Sequence, residues 1–111
     1  MLKVERQGAV DVIRPQGSVR DENLEELRAI CQRLVDRGWP AIVLDLSQAA
    51  LLSGEALQWL RDLDQQCADC GGSVCVAAPG EICAETLRIT GVGQHLQLFP
   101  DVGLAVARFA S

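Results

Sequence analysis

The sequence predicts an α/β fold: one domain over residues 1–111, with a mixed, mostly parallel sheet of about five strands and about four helices. Three observations carry this expectation. Helical and strand-like periods alternate regularly from residue 24 onward. Residues 41–46 and 74–78 are almost wholly apolar, as strands buried on both faces are. Finally, 111 residues suffice for one core but not for two.

Each element has its own signal. Residues 2–7 alternate apolar and polar, Gly8 interrupts, and residues 10–14 form a second run closed by Pro15, which reads as two strands joined by a turn. Leu24, Leu27, Ile30, Cys31 and Leu34 then recur at helical spacing up to a stop at Gly38. Asp21 and Glu22 open that helix and Arg33 and Arg37 lie near its end, the order its dipole favours. After strand 41–46, a second helix starts with Ser53 as N-cap and Glu55 in its first turn. Its stripe is Ala56, Leu57, Leu60, Leu63, Cys67 and Cys70, and Gly71-Gly72 ends it. Strand 74–78 closes at Pro79-Gly80. Ile82, Cys83, Leu87 and Thr90 outline a short helix ending at Gly91, and 96–99 is a last short strand. Asp101 caps a terminal helix carrying Val102, Ala105, Val106 and Phe109. Alternation of this kind implies right-handed crossovers and parallel pairing, with the N-terminal pair adding an antiparallel element.

Composition narrows the function. With 49% hydrophobic and 23% charged residues the chain is expected to fold, and at 4% aromatic its core must be aliphatic. Ten basic against fifteen acidic residues give a net charge of −5, which repels phosphate backbones, so nucleic acid is not an expected partner. No apolar run approaches the roughly 20 residues of a membrane span, and residues 1–6 lack a signal-type stretch. Neither membrane insertion nor export is expected, and in the cytoplasm the five cysteines stay reduced.

Catalytic motifs are missing. Cys67 and Cys70 form a C-x-x-C pair, with Cys75 and Cys83 following, but a zinc signature needs two such pairs in turns, and a redox pair should open a helix rather than close one. Core packing accounts for them better. His95 stands alone, and no nucleophile motif accompanies it. Gly91-Val92-Gly93 lacks the third glycine of a dinucleotide fingerprint and follows a helix rather than a strand. Most carboxylates fall on exposed helix faces and read as a solvated surface. The expectation is a non-enzyme without metal or cofactor.

One junction remains, residues 47–56, which links the central strand to a helix N-terminus. Binding sites in open α/β sheets gather beyond the carboxyl ends of strands, although an ordinary connector with Ser53 as a cap fits the same residues.

The ordered landmarks together resemble the STAS domains, whose founding members are bacterial anti-sigma-factor antagonists. Gly17, Val19 and Asn23 followed by Leu27, the strand Ile42-Val43-Leu44-Asp45-Leu46-Ser47, Gly71-Gly72, Pro79, Leu87-x-x-Thr90-Gly91-Val92 and Phe99-Pro100-Asp101 with Ala105 carry the resemblance over nearly the whole chain. It implies a STAS-like fold. The family loop usually reads Asp-Ser-Ser-Gly, with its second serine phosphorylated by an anti-sigma factor that is also a serine kinase. Here Ser53-Gly54-Glu55-Ala56 stands at that place, so Glu55 occupies the phosphoserine position, and Arg20 replaces an acidic residue ahead of the first helix. Ser53 is the alternative phosphoacceptor in a shifted register.

The resemblance implies protein recognition by an anti-sigma factor or a serine-kinase-like regulatory protein. The expected surface comprises Ser53, Gly54 and Glu55, Arg20 and Asn23 at the neighbouring helix start, Ser47 and Gln48 in the preceding loop, and Gln58, Arg61 and Asp62 on the second helix. Trp59 reads either as an exposed anchor or as a partly buried core residue. A second reading makes the domain an accessory subunit docking on a transporter or transport ATPase, and a third a small-ligand binder, for which no Walker-type loop speaks.

Overall fold

A computed structural model describes residues 2–110. Strands β1 (Leu2–Gln7) and β2 (Val10–Pro15) form the N-terminal hairpin, followed by β3 (Gly17–Val19) and helix α1 (Asp21–Arg37). Then come β4 (Ala41–Asp45), β5 (Ala49–Leu52), α2 (Gly54–Asp69), β6 (Ser73–Ala77), α3 (Glu81–Thr90), a 3-10 turn at Val92–Gln94, β7 (Gln97–Phe99) and α4 (Val102–Ala110). The main sheet has five strands in the order β1-β2-β4-β6-β7. Only the β1–β2 pair is antiparallel; β2–β4, β4–β6 and β6–β7 are parallel. The mixed, mostly parallel α/β sheet with four helices is thus as the sequence predicts.

Alternation along the strands divides the core. Ile13, Ile42, Leu44, Val74 and Val76 point to one face, where Leu24, Leu27 and Cys31 of α1, Leu60, Leu63 and Cys67 of α2, and Cys83 and Leu87 of α3 cover them. Val10, Val12, Val43 and Ala77 point to the other, which α4 covers with Ala105, Val102, Val106 and Phe109. Central strands β4 and β6 are therefore buried on both sides, which explains their unbroken apolar character.

Two strands escape the sequence pattern. β3 and β5 pair in parallel as a separate two-stranded sheet, with Ser18 opposite Leu51 and Val19 opposite Leu52. Residues 47–52, read as connector, are thus partly strand. Three or four residues show no usable period, and their partner lies about 30 positions away, so only the folded chain brings them together. Gly72, read as part of a helix stop, has a further duty: a Cβ there would lie 2.1 Å from the Pro40 carbonyl oxygen, where β4 and β6 begin.

Candidate protein-binding site

At the carboxyl end of β4 the buried Asp45 fixes the chain's exit. Its Oδ2 accepts from Arg14 Nε at 2.6 Å and its Oδ1 accepts from the Ser47 backbone N–H at 2.9 Å. Burial alone would raise this carboxyl, but the Ser47 amide and the Arg14 guanidinium outweigh it and hold it below the usual carboxylate range. Asp11, on β2, is buried as well and receives Arg37 at 2.8 Å and Arg6 at 3.7 Å. These two strand carboxylates depart from the solvated surface expected of most acidic residues. Each sits beside a strand position that needs the interior, and an arginine neutralises it there.

From Ser47 the chain runs into β5, alongside β3. Gly17 N–H donates to the Gln48 carbonyl at 3.0 Å, and Ser53 N–H donates to the Val19 carbonyl at 3.1 Å. Asn23 Nδ2 donates to the carbonyls of Ser18 at 2.8 Å and Gln16 at 3.3 Å, which ties the first turn of α1 to β3. The small sheet therefore sets the start of α1 beside the start of α2.

Ser53 caps α2, its Oγ accepting from the Ala56 N–H at 3.1 Å. Gly54 and Glu55 follow, both exposed, and a Cβ on Gly54 would meet nothing within 4 Å. Arg20, also exposed, is the N-cap of α1 without a side-chain cap bond, 3.8 Å from Asp21. Ser47 and Gln48 are exposed in the turn before β5. Arg20, Asn23, Ser47, Gln48, Ser53, Gly54 and Glu55 thus cluster around the β3–β5 pair.

Further along α2 the expected residues divide. Gln58 and Asp62, joined at 3.2 Å, border a 260 Å³ groove between α1 and α2 together with Trp59, Arg28 and Gln32. Trp59 is half-buried and packs on the main core, closer to the core reading than to a free anchor. Arg61 faces the other way, toward His95 and Leu96. On α3, which packs against β5, Ile82 and Ile89 are 64% and 67% exposed. The sequence pattern outlines this helix by Ile82, Cys83, Leu87 and Thr90, yet Cys83 and Leu87 alone supply its buried side. Seven-residue spacing of two isoleucines, off the Cys83–Leu87 stripe, was the signal available in the sequence.

The cysteines occupy the interior. Cys31, Cys67, Cys75 and Cys83 are buried and Cys70 is half-buried, all as free thiols. Burial pushes the Cys31 and Cys67 thiols up to about 12 and raises those of Cys75 and Cys83. Such thiols are poor nucleophiles and poor ligands at neutral pH. Among the described residues no helix is long and apolar enough to cross a membrane.

This sheet, with helices on both faces and a capped helix start beyond its central strand, defines an α/β domain of mixed, mostly parallel topology. Residues 1–105 match the STAS domain family model, and the chain belongs to the STAS domain family. Its fold is similar to that of an anti-sigma factor antagonist from Mycobacterium paratuberculosis, with a TM-score of 0.86 and 23% identity over 100% of this chain and 94% of that one. It is also similar to the Bacillus anti-sigma factor antagonist SpoIIAA in its unphosphorylated form, with a TM-score of 0.84 and 14% identity over 99% of this chain and 96% of the other. The STAS domain of a SulP transporter from Vibrio cholerae aligns at a TM-score of 0.76 and 12% identity, over 96% of this chain and 85% of that one. A search of curated proteins found no match.

Proposed function

We propose that this STAS domain is a non-catalytic, cytoplasmic protein-binding regulator, an anti-sigma-factor antagonist or a related partner-switching component. Its partner is an anti-sigma factor or a serine-kinase-like regulatory protein. The observation that supports this reading is the exposed carboxylate of Glu55 in the first turn of a capped helix, whose start is tied to β3 through the Ser53 N–H to Val19 carbonyl bond. SpoIIAA, of similar fold, has a structure in a phosphorylated form as well.

Phosphoserine brings −1.5 to −2 charges at neutral pH, whereas glutamate brings about −1 at the same helix end. Glu55 therefore holds the surface in a partly phosphorylated-like state, and partner choice becomes constitutive. Ser53 is the less suitable phosphoacceptor, because its Oγ already serves the Ala56 amide. A standard interface covers about 800 Å² per partner, more than one loop supplies, so Gln58, Asp62 and the half-buried Trp59 are proposed to extend it along α2. Glu55→Ser tests the reading: binding to the cognate regulator should become dependent on phosphorylation of the new serine. Equal binding of wild type and variant, with and without the kinase, rejects the phosphomimic role.

The SulP match favours a second reading, docking on a transporter or transport ATPase. Affinity purification of the native complex separates the two: a sigma-regulating ATPase supports the first, a membrane transport complex the second.

A further inference from the structure

The end of the sheet opposite α2's start carries a feature that the proposed function leaves unused. Trp39 follows the stop of α1 with a φ of 52°, in a left-handed region that bulky side chains rarely adopt. Its side chain is nonetheless turned outward, with 83% of the residue exposed. The indole lies over Gly71, where an added Cβ would come within 3.1 Å of it. Beside it an apolar groove of 570 Å³ runs between the β1–β2 turn and α4, walled by Val10, Ala41, Val106 and Phe109. Ala41 and Phe109 also border the hollow at Trp39, so the projecting ring and the groove share one surface.

Charge is uneven across this surface. Asp36, in the last turn of α1, and Asp69, at the end of α2, are exposed on the Trp39 side. Arg6, 3.7 Å from Asp11, donates from Nε to the Gly8 carbonyl at 3.2 Å on one lip of the groove, and the Arg108 guanidinium, which donates to Gln97 Oε1 at 2.5 Å, lies 5.1 Å from the Phe109 ring centre on the other.

We propose that this surface joins two copies of the chain across a two-fold axis, each Trp39 entering the groove of the other copy. An isologous interface needs a self-complementary patch, and a projecting ring next to an apolar groove is one. The same rotation brings the acidic side of one copy toward Arg6 and Arg108 of the other, so attraction falls where the rings seat. Tryptophan covers about 150–250 Å² when buried, so two rings and the walls they cover supply a large part of the roughly 1,200 Å² a stable contact requires. Both helix α2 starts stay open in the pair, since they lie beyond the other end of β4.

Sedimentation equilibrium of the full chain from micromolar to millimolar concentration tests the proposal. A monomer–dimer equilibrium is expected. Losing one such anchor costs about thirtyfold, so Trp39→Ala, which removes two per dimer, should weaken association on the order of a thousandfold. Ala9→Glu, which places a carboxylate at the exposed groove lip, should weaken it too. Both sites are exposed, so both variants should keep the wild-type circular dichroism and melting point at low concentration. Trp59→Phe leaves Trp39 as the sole tryptophan, and its emission should shift to the blue as the dimer forms. A species that stays monomeric to 1 mM overturns the proposal. So does a dimer indifferent to both substitutions, or a Trp39 shift that appears only when a fatty acid or a foreign protein is added.

Discussion

Asp45 shows how a single residue links the core to the site. It lies at the last position of β4, where an aliphatic neighbour on either side belongs to the interior, yet it serves the turn that follows by accepting from Ser47 and from Arg14. Asp45→Asn removes the charge facing Arg14, and a loss of about 1–3 kcal/mol is expected in urea unfolding at pH 7; solvent access to Arg14 keeps it toward the lower end. The pH dependence follows from the lowered carboxyl of the folded state. Because the folded group ionises more readily than the unfolded one, its contribution is complete above the ordinary aspartate range near 4 and fades as pH falls through the folded value. Wild type should therefore lose stability between pH 5 and about 2 more steeply than Asp45→Asn. Equal slopes would mean that Asp45 contributes nothing through its charge.

Among the elements, the junction of β4 and β6 is the least tolerant. Ser73 N–H donates to the Pro40 carbonyl at 2.9 Å, and Gly72 lets the two backbones approach there. Gly72→Ala would press a methyl against that carbonyl, and a cost of about 3 kcal/mol or more is expected, read as a lowered thermal midpoint. Gly54→Ala, by contrast, meets open space at the head of α2 and should leave the midpoint nearly unchanged. The β3–β5 pair is an element of another kind. Its seven residues contribute Val19 and Leu52 to the core, and its larger role is to set two helix starts side by side.

Across the whole molecule, burial decides the chemistry of the thiols. Four of the five cysteines lie inside, on both layers of the sheet, and the interior disfavours their thiolates. Ellman's reagent at pH 8 should therefore label about one thiol rapidly in the native protein, that of the half-buried Cys70, and all five after denaturation. Rapid native labelling of three or more would contradict the packing described.

Periodicity in the sequence was enough for what depends on near neighbours: Leu24–Leu27–Cys31–Leu34 for α1, the unbroken apolar runs of β4 and β6, the Ser53 cap and the glycine stops. A helix or a buried strand writes its face into a dozen consecutive residues, so it can be read locally. What required tertiary structure was contact between distant segments. The pairing of Val19 with Leu52, the burial of Asp11 and Asp45 beside arginines, the outward turn of Ile82, and the placing of exposed Trp39 next to the α4 groove all depend on which surfaces meet. Those meetings are set by the packing of both layers on the sheet, and no single stretch of chain contains that information.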